Sequence, residues 1–315
     1  MRQFDGATVR PTVRRCDGAE VSATVRTLGP AVAPSHAAPS DAPRTVAPSH
    51  RRTHRRTAAP SHRRTLAVLA LVAFVLPLLA AAQTIFRTPD GQERKLGNPA
   101  YDGRFVFTRI RYGGPGFGGF GFGGGSWSHD YPAADFYISD ALDTLTRMRV
   151  SADRTNVLTL EDPAIFDNPI LYVSEPGYWR ITDRGAANLR QHLLKGGLVI
   201  FDDFEHQDEF DNMAAQVARA LPERRWIKID IRHPIFNSLF DLKALDVPHP
   251  SVDVEPDYRA LFVNDDPNDR MLALANHNCD IAEYWEWSAD ERFPVDVTSG
   301  AYEMGVNYII YAMTH

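Results

Sequence analysis

The chain has 315 residues with 34 basic and 40 acidic side chains, a net charge of −6. Twelve of the Arg and four of the acids fall in residues 1–65, which leaves 22 basic against 36 acidic residues in 66–315; so acidic a fold repels phosphate backbones and excludes nucleic acid as a partner. The two cysteines, Cys16 and Cys279, fall one in the basic leader and one in the acidic remainder, which excludes an intramolecular disulfide once the leader is removed.

Residues 1–65 repeat Ala-Pro-Ser-His from Ala33, Ala47 and Ala59 and His-Arg-Arg-Thr from His50, His54 and His62. With so little apolar content the segment cannot offset its ordering entropy, and it is expected to be a disordered basic pre-sequence; a start assigned too far upstream is the plainest account of it. Residues 66–82 form an uncharged apolar run preceded by Arg63 and Arg64 and closed by Ala80, Ala81 and Ala82. That order of parts predicts a signal peptide ending near Ala82, with an uncleaved membrane anchor as the alternative, because the run sits at the lower limit of roughly 17 residues for crossing a bilayer. Either reading makes the domain exported, periplasmic or membrane-anchored. A polar linker over 83–103 and one domain over 104–315 follow.

Within the domain, residues 104–112 alternate apolar and polar side chains and predict the first strand. The next thirteen residues, Gly113 to Gly125, include nine glycines. They match G-x-G-x-x-G by density alone and do not open a helix directly, so a flexible loop or lid is expected rather than a phosphate cradle. Near-helical spacing of Phe136, Ile138, Leu142 and Leu145 predicts a helix over 133–148, capped by polar groups around Asp130. Strands over 156–160 and 170–174 flank a short helical turn ended by Pro169. A helix from Thr182-Asp183 to Leu194 and a strand over 198–201 come next. A helix over 208–221, a strand over 226–231, a hairpin of 259–264 with 271–276 around Asp-Asp-Pro-Asn-Asp, and a closing helix over 302–313 complete the chain. Strands alternating with helices predict an α/β fold with a mainly parallel sheet flanked by helices on both faces, a C-terminal hairpin and a closing helix.

In such sheets ligands sit beyond the carboxyl ends of strands. The residues there are conspicuously acidic: Ser174 and Glu175 end one strand, Asp202, Asp203, Glu205 and His206 follow another, and His277, Asn278 and Asp280 follow the hairpin's second strand. Crowded carboxylates beside histidine can ligate a divalent ion or divide acid and base roles. Asp202 and Asp203 point to opposite sides if both lie in the strand, so one of them at most enters a given site. Capping of the following helix is the competing use of each carboxylate. His233 before Pro234 reads either as a pocket histidine or as a helix start. A catalytic role for Cys279 lacks an activating base and an orienting group. Trp285 and Trp287 beside Tyr284 fit a core cluster or a sugar-stacking surface. The residues define no cofactor signature and no metal-ligand spacing.

The segments FVFTRIRY, WSHDYPAADF, ILYVSEPG, LLKGGLVIFDDF, HPIFNSLFDL, LANHNCD and MGVNYIIYAMTH, spread over residues 105–315, together resemble the family catalogued as domain of unknown function 4159. The resemblance implies a flavodoxin-like, class I glutamine-amidotransferase-like fold. It also implies that Asp130, Tyr131, Asp135, Glu175, Asp202, Asp203, His233, His277, Asn278, Asp280 and Asn307 occupy the family's characteristic polar positions, and that partners include membrane proteins of an aerotolerance-regulator type system. Asp-Asp-Phe replaces a cysteine elbow after Phe201, so amidotransferase activity is not expected. The leading expectation is a module that binds a small polar ligand or partner; the alternative is a hydrolase on a carbohydrate or amide using Glu175 or Asp202 as base and His277 as acid, with or without a divalent ion.

Overall fold

The computed structural model describes residues 85–89, 91–113 and 126–315. The expected pre-sequence, signal segment and most of the glycine-rich loop lie outside the described residues. Among the described residues no helix is long and apolar enough to cross a membrane.

The fold is α/β. Its strands are β1 (Ile85–Arg87), β2 (Glu93–Lys95), β3 (Thr108–Ile110), β4 (Asn156–Leu158), β5 (Ile170–Ser174), β6 (Leu198–Asp202), β7 (Ile227–Lys228), β8 (Asp257–Phe262) and β9 (Met271–His277). Its helices are α1 (Ala133–Leu145), α2 (Asp183–Leu194), α3 (His206–Ala220), α4 (Ile281–Glu286) and α5 (Val295–Thr314). Seven strands form one sheet in the order β4-β3-β5-β6-β9-β8-β7. The first five are parallel, and β8 and β7 extend the sheet by antiparallel pairing. The chain runs from β3 outward to β4 and then returns to the other side of β3 to begin β5, so the direction of winding reverses between β3 and β5.

Strand residues point alternately to opposite faces. Ile170, Tyr172, Leu198 and Ile200 enter one core beneath α1, α4 and α5, whereas Leu171, Val173, Val199 and Phe201 enter the other beneath α2 and α3. Because β5 and β6 are buried on both faces they read as continuous apolar runs, as central parallel strands must. Each large side chain so buried stabilises the fold by about 1.5–3 kcal/mol. On α2, Ala186, Leu189 and Leu193 form the buried stripe, and the Thr182 hydroxyl caps the helix by accepting from the Gly185 amide.

Several expectations are refined. The segment expected as a polar linker contains the antiparallel pair β1–β2 and is pinned to α1, where the buried Arg94 pairs with Asp140. Farther along, Asn98 donates to the Val157 carbonyl and accepts from the Val157 amide at 3.0 and 2.7 Å, closing the outer side of β4. Helix α1 has no side-chain cap; the Asp130 carbonyl, not its carboxylate, accepts from Ala134. The strand expected over 226–231 shrinks to β7, the closing helix begins earlier at Val295, and α4 was not anticipated. Trp285, on α4, is a core residue at 2% exposure, which removes it from any sugar-stacking surface.

Candidate functional site

Parallel strands bring their carboxyl ends to one edge, and the turns leaving β5, β6 and β9 meet there. A 2.9 Å bond from the Asp203 amide to the Cys279 carbonyl, answered by one from the Asn278 amide to the Phe204 carbonyl, ties the turn after β6 to the turn after β9. Asp203 and Asp280 are thereby fixed side by side. The turn after β5 is held by the Tyr112 hydroxyl, 2.7 Å from the carbonyls of both Ser174 and Glu175. Asp130, Glu175, Asp203, His206 and Asn278 all have positive φ, a conformation that costs a side-chain-bearing residue free energy and clusters at functional positions.

The segment before α1 reaches the same place. Arg109, fully buried in β3, directs Nε and Nη2 to Asp135 Oδ1 at 3.0 and 2.7 Å, while its Nη1 donates to the carbonyls of Trp127 and His129 at 3.2 and 2.7 Å. Asp135 also accepts from Thr155 Oγ1 at 2.8 Å. This buried ion pair therefore sets the path of residues 127–129, and His129 is delivered over the sheet edge with Nδ1 2.7 Å from Asp203 Oδ2 and 4.0 Å from Glu175 Oε1.

The result is a cleft of about 250 Å³ walled by the carboxylates of Glu175, Asp203, Glu205, Glu209, Asp280 and Glu283 and by His129 and His249, with no Lys or Arg in its lining. At its inner end one ligating atom from each of His129, Asp130, Asp203 and Asp280 lies within 4.8 Å of the others. Asp203 is steadied by Ser174 Oγ at 3.2 Å and Asp280 by the Glu283 amide at 3.0 Å. Asp130 differs: its side chain is fully buried and among the described residues neither carboxylate oxygen has a hydrogen-bond partner, His129 Nδ1 standing 3.6 Å away. Burial, and then the neighbouring Asp203, push the Asp130 and Asp280 carboxyls well above the usual range, Asp130 adding to the effect on Asp280. Burial raises Glu175 as well. The hydrogen bond to Asp203 raises His129 to about 10.

Of the residues singled out in the sequence, Glu175, Asp203 and Asp280 line the cleft, and Asp130 is not in its lining but has a carboxylate oxygen within 4.8 Å of the ligating atoms of Asp203 and Asp280. The others have different work. Asp202 turns away from its neighbour and accepts from Tyr172 Oη, Asn276 Nδ2 and the amides of Ile281 and Ala282 at 2.7 to 3.3 Å, fully buried under α4, where burial raises it to about 7. His277 packs between Phe204 and Phe210 with Nε2 on the His206 carbonyl, and burial lowers its pKa. Asn278 accepts from the His206 amide and donates to the Glu255 carbonyl. His233 caps the 3-10 turn Pro234–Phe236 and stacks near Phe262 and Tyr311. Asp135 serves Arg109, Tyr131 lies beneath the Arg109 guanidinium, and Asn307 bonds the backbone of Leu239 and Phe240.

An acid–base pair of Asp202 with His277 thus has no common space for a substrate. Cys279 is no nucleophile either: it is fully buried against Tyr258 Oη at 3.2 Å, and burial pushes its thiol to about 12. Glu205, also a strand-end candidate, lines the cleft as well, whereas His129, His249, Glu209 and Glu283 are site residues that strand-end reasoning passed over. Only His129 carried a signal, as the neighbour of Asp130 in the Ser-His-Asp-Tyr-Pro run.

The family model described as "Domain of unknown function (DUF4159)" matches residues 106–313. No curated protein matches the chain.

Proposed function

The chain belongs to the DUF4159 family, and from that premise we propose that its domain is an exported binding module, without amidotransferase activity, that captures a small positively charged polar ligand in the acidic cleft. The observation that carries this reading is the lining itself: among the described residues it has six carboxylates against no Lys or Arg and two histidines, of which His129 is already paired with Asp203. Such a wall concentrates cations and rejects anionic substrates. A positively charged amine or guanidinium can make charge-assisted hydrogen bonds to Glu175, Glu205 and Glu209 together, and such bonds are about twice as strong as neutral ones. The absence of an accessible thiol at the strand ends argues against acyl transfer through cysteine, since Cys279 is sealed in the core. The apolar run over 66–82 supports export.

Calorimetric titration with 1,4-diaminobutane and with argininamide tests the proposal. Either probe is expected to bind, more weakly as salt rises. The Glu205→Gln/Glu209→Gln double variant should lose about tenfold in affinity, two partly screened contacts at up to about 1 kcal/mol each. Failure of both probes to bind, or equal binding by the double variant, would overturn it.

A further inference from the structure

Burying a carboxylate without hydrogen bonds is costly, and proteins resolve it by pairing the charge or by coordinating a cation. Asp130 is in that position. Its side chain has no exposure, and among the described residues neither oxygen has a hydrogen-bond partner. The nearest guanidinium gives no help, because the Arg109 nitrogens are committed to Asp135 and to the carbonyls of Trp127 and His129. Asp130 also lies with two further buried aspartates, so the inner end of the cleft gathers three carboxylates around one imidazole. Asp280 also caps α4, but no contact among the described residues gives the Asp130 carboxylate a structural task, and a hydrophobic residue of similar size in its place would be cheaper.

We propose that His129, Asp130, Asp203 and Asp280 bind one divalent transition-metal ion, of the manganese or zinc kind, at the inner end of the cleft. The inference rests on the reading of the cleft as a cation site and specifies the cation at its deepest point. Metal–ligand bonds of roughly 2.1 Å place opposite ligands roughly 4.2 Å apart, close to the 4.8 Å within which the four ligating atoms already lie. One imidazole nitrogen with three carboxylate oxygens is a mixed set that suits manganese or zinc better than magnesium, which takes oxygen ligands and keeps its waters. Supporting contacts of the kind that orient metal ligands are in place: Ser174 Oγ on Asp203, the Glu283 amide on Asp280, and Arg109 on the His129 carbonyl, consistent with the conserved role of such outer contacts. The ligands come from three separate turns, after β6, after β9 and before α1; backbone bonds already join the first two, and the ion would join the segment before α1 to both.

The test is Mn²⁺ binding by the EDTA-stripped full chain, followed by calorimetry and by the paramagnetic resonance of the free ion. One Mn²⁺ per chain is expected, and the thermal midpoint should rise with the ion. Asp130→Asn should weaken binding by about a hundredfold, since loss even of an outer-shell partner costs 10–100-fold. In EDTA the same variant should melt no lower than the wild type; an Asp130 with only a structural role would melt lower. Should Asp130→Asn fail to fold, His129→Gln decides, because that side chain is 45% exposed and its loss leaves the core intact. No Mn²⁺ bound by the wild type, or undiminished binding by these variants, overturns the metal site. Amine binding that survives in a chain taking up no Mn²⁺ would overturn the ion alone, whereas Mn²⁺ bound without any amine would overturn the ligand reading and leave the ion standing.

Discussion

His192 rests on Gly197 at the end of α2, so close that a Cβ at Gly197 would fall 2.1 Å from its Nε2. Only glycine lets the imidazole lie there, buried, and burial lowers its pKa to about 4. In the unfolded chain the same group protonates near its ordinary value of about 6.5, so between those values the unfolded chain binds more protons. The neutral His192 therefore contributes stability that is complete above about pH 6.5 and is lost as the pH falls toward about 4, up to roughly 3 kcal/mol. Urea unfolding of His192→Gln and wild type across pH 4 to 7 should give a smaller loss of stability on acidification in the variant; parallel curves would contradict this. At this scale Asp203, Asp280 and Glu175 were legible because strand ends are where a sheet delivers polar groups. Asp202 was legible as a candidate but not in its role: one residue of strand twist separates an acid in the cleft from an acid that anchors the amides of Ile281 and Ala282. His129 reaches the site only through the Arg109–Asp135 pair, a contact between residues 26 apart that no local pattern announces.

Helix α5 contains two glycines with opposite surroundings. A Cβ on Gly305 would stand 2.3 Å from Trp285 Cζ2 and 3.2 Å from Ile138 Cδ1, whereas on Gly300 it would meet Val247 Cγ2 at an ordinary 3.4 Å. Alanine gains about 1 kcal/mol over glycine inside a helix, but forcing volume into a packed core costs about 1–3 kcal/mol. Gly305→Ala should thus lower the denaturation midpoint, because Trp285 is enclosed between α1 and α5, while Gly300→Ala should leave it unchanged or raise it. Equal shifts in the two variants would show that the close approach of α4 and α5 is not set by Gly305. Long periodic elements such as α2 and α3, and continuous apolar strands such as β5 and β6, were legible from their own residues. The short α4 was not, since six residues carry too little periodicity and its formation depends on Asp202 and on the Asp280 cap.

Across the molecule, the parallel centre of the sheet holds both cores, so protection should be unequal. Hydrogen exchange is expected to be slowest in β5, β6 and β9, which are buried on both faces, and fastest in the β1–β2 pair and β7; local opening reflects how little burial an element has to lose. A flat pattern, read by mass spectrometry of peptides from these strands, would contradict that order. The α/β class followed from alternation alone, yet the strand order did not, because which parallel strands become neighbours depends on crossovers that sequence periodicity does not encode. The clasp of Asn98 on Val157 has a consequence for crowding. An open sheet edge is a template on which a second chain can add, and from there aggregate. Here the outermost strand at one end is three residues long with the amide and carbonyl of its middle residue already answered by a side chain, and the opposite edge strand has only two residues. Strand addition thus finds little purchase at either margin of the seven-stranded sheet, which blunts the route by which crowded copies of a domain pair edge to edge.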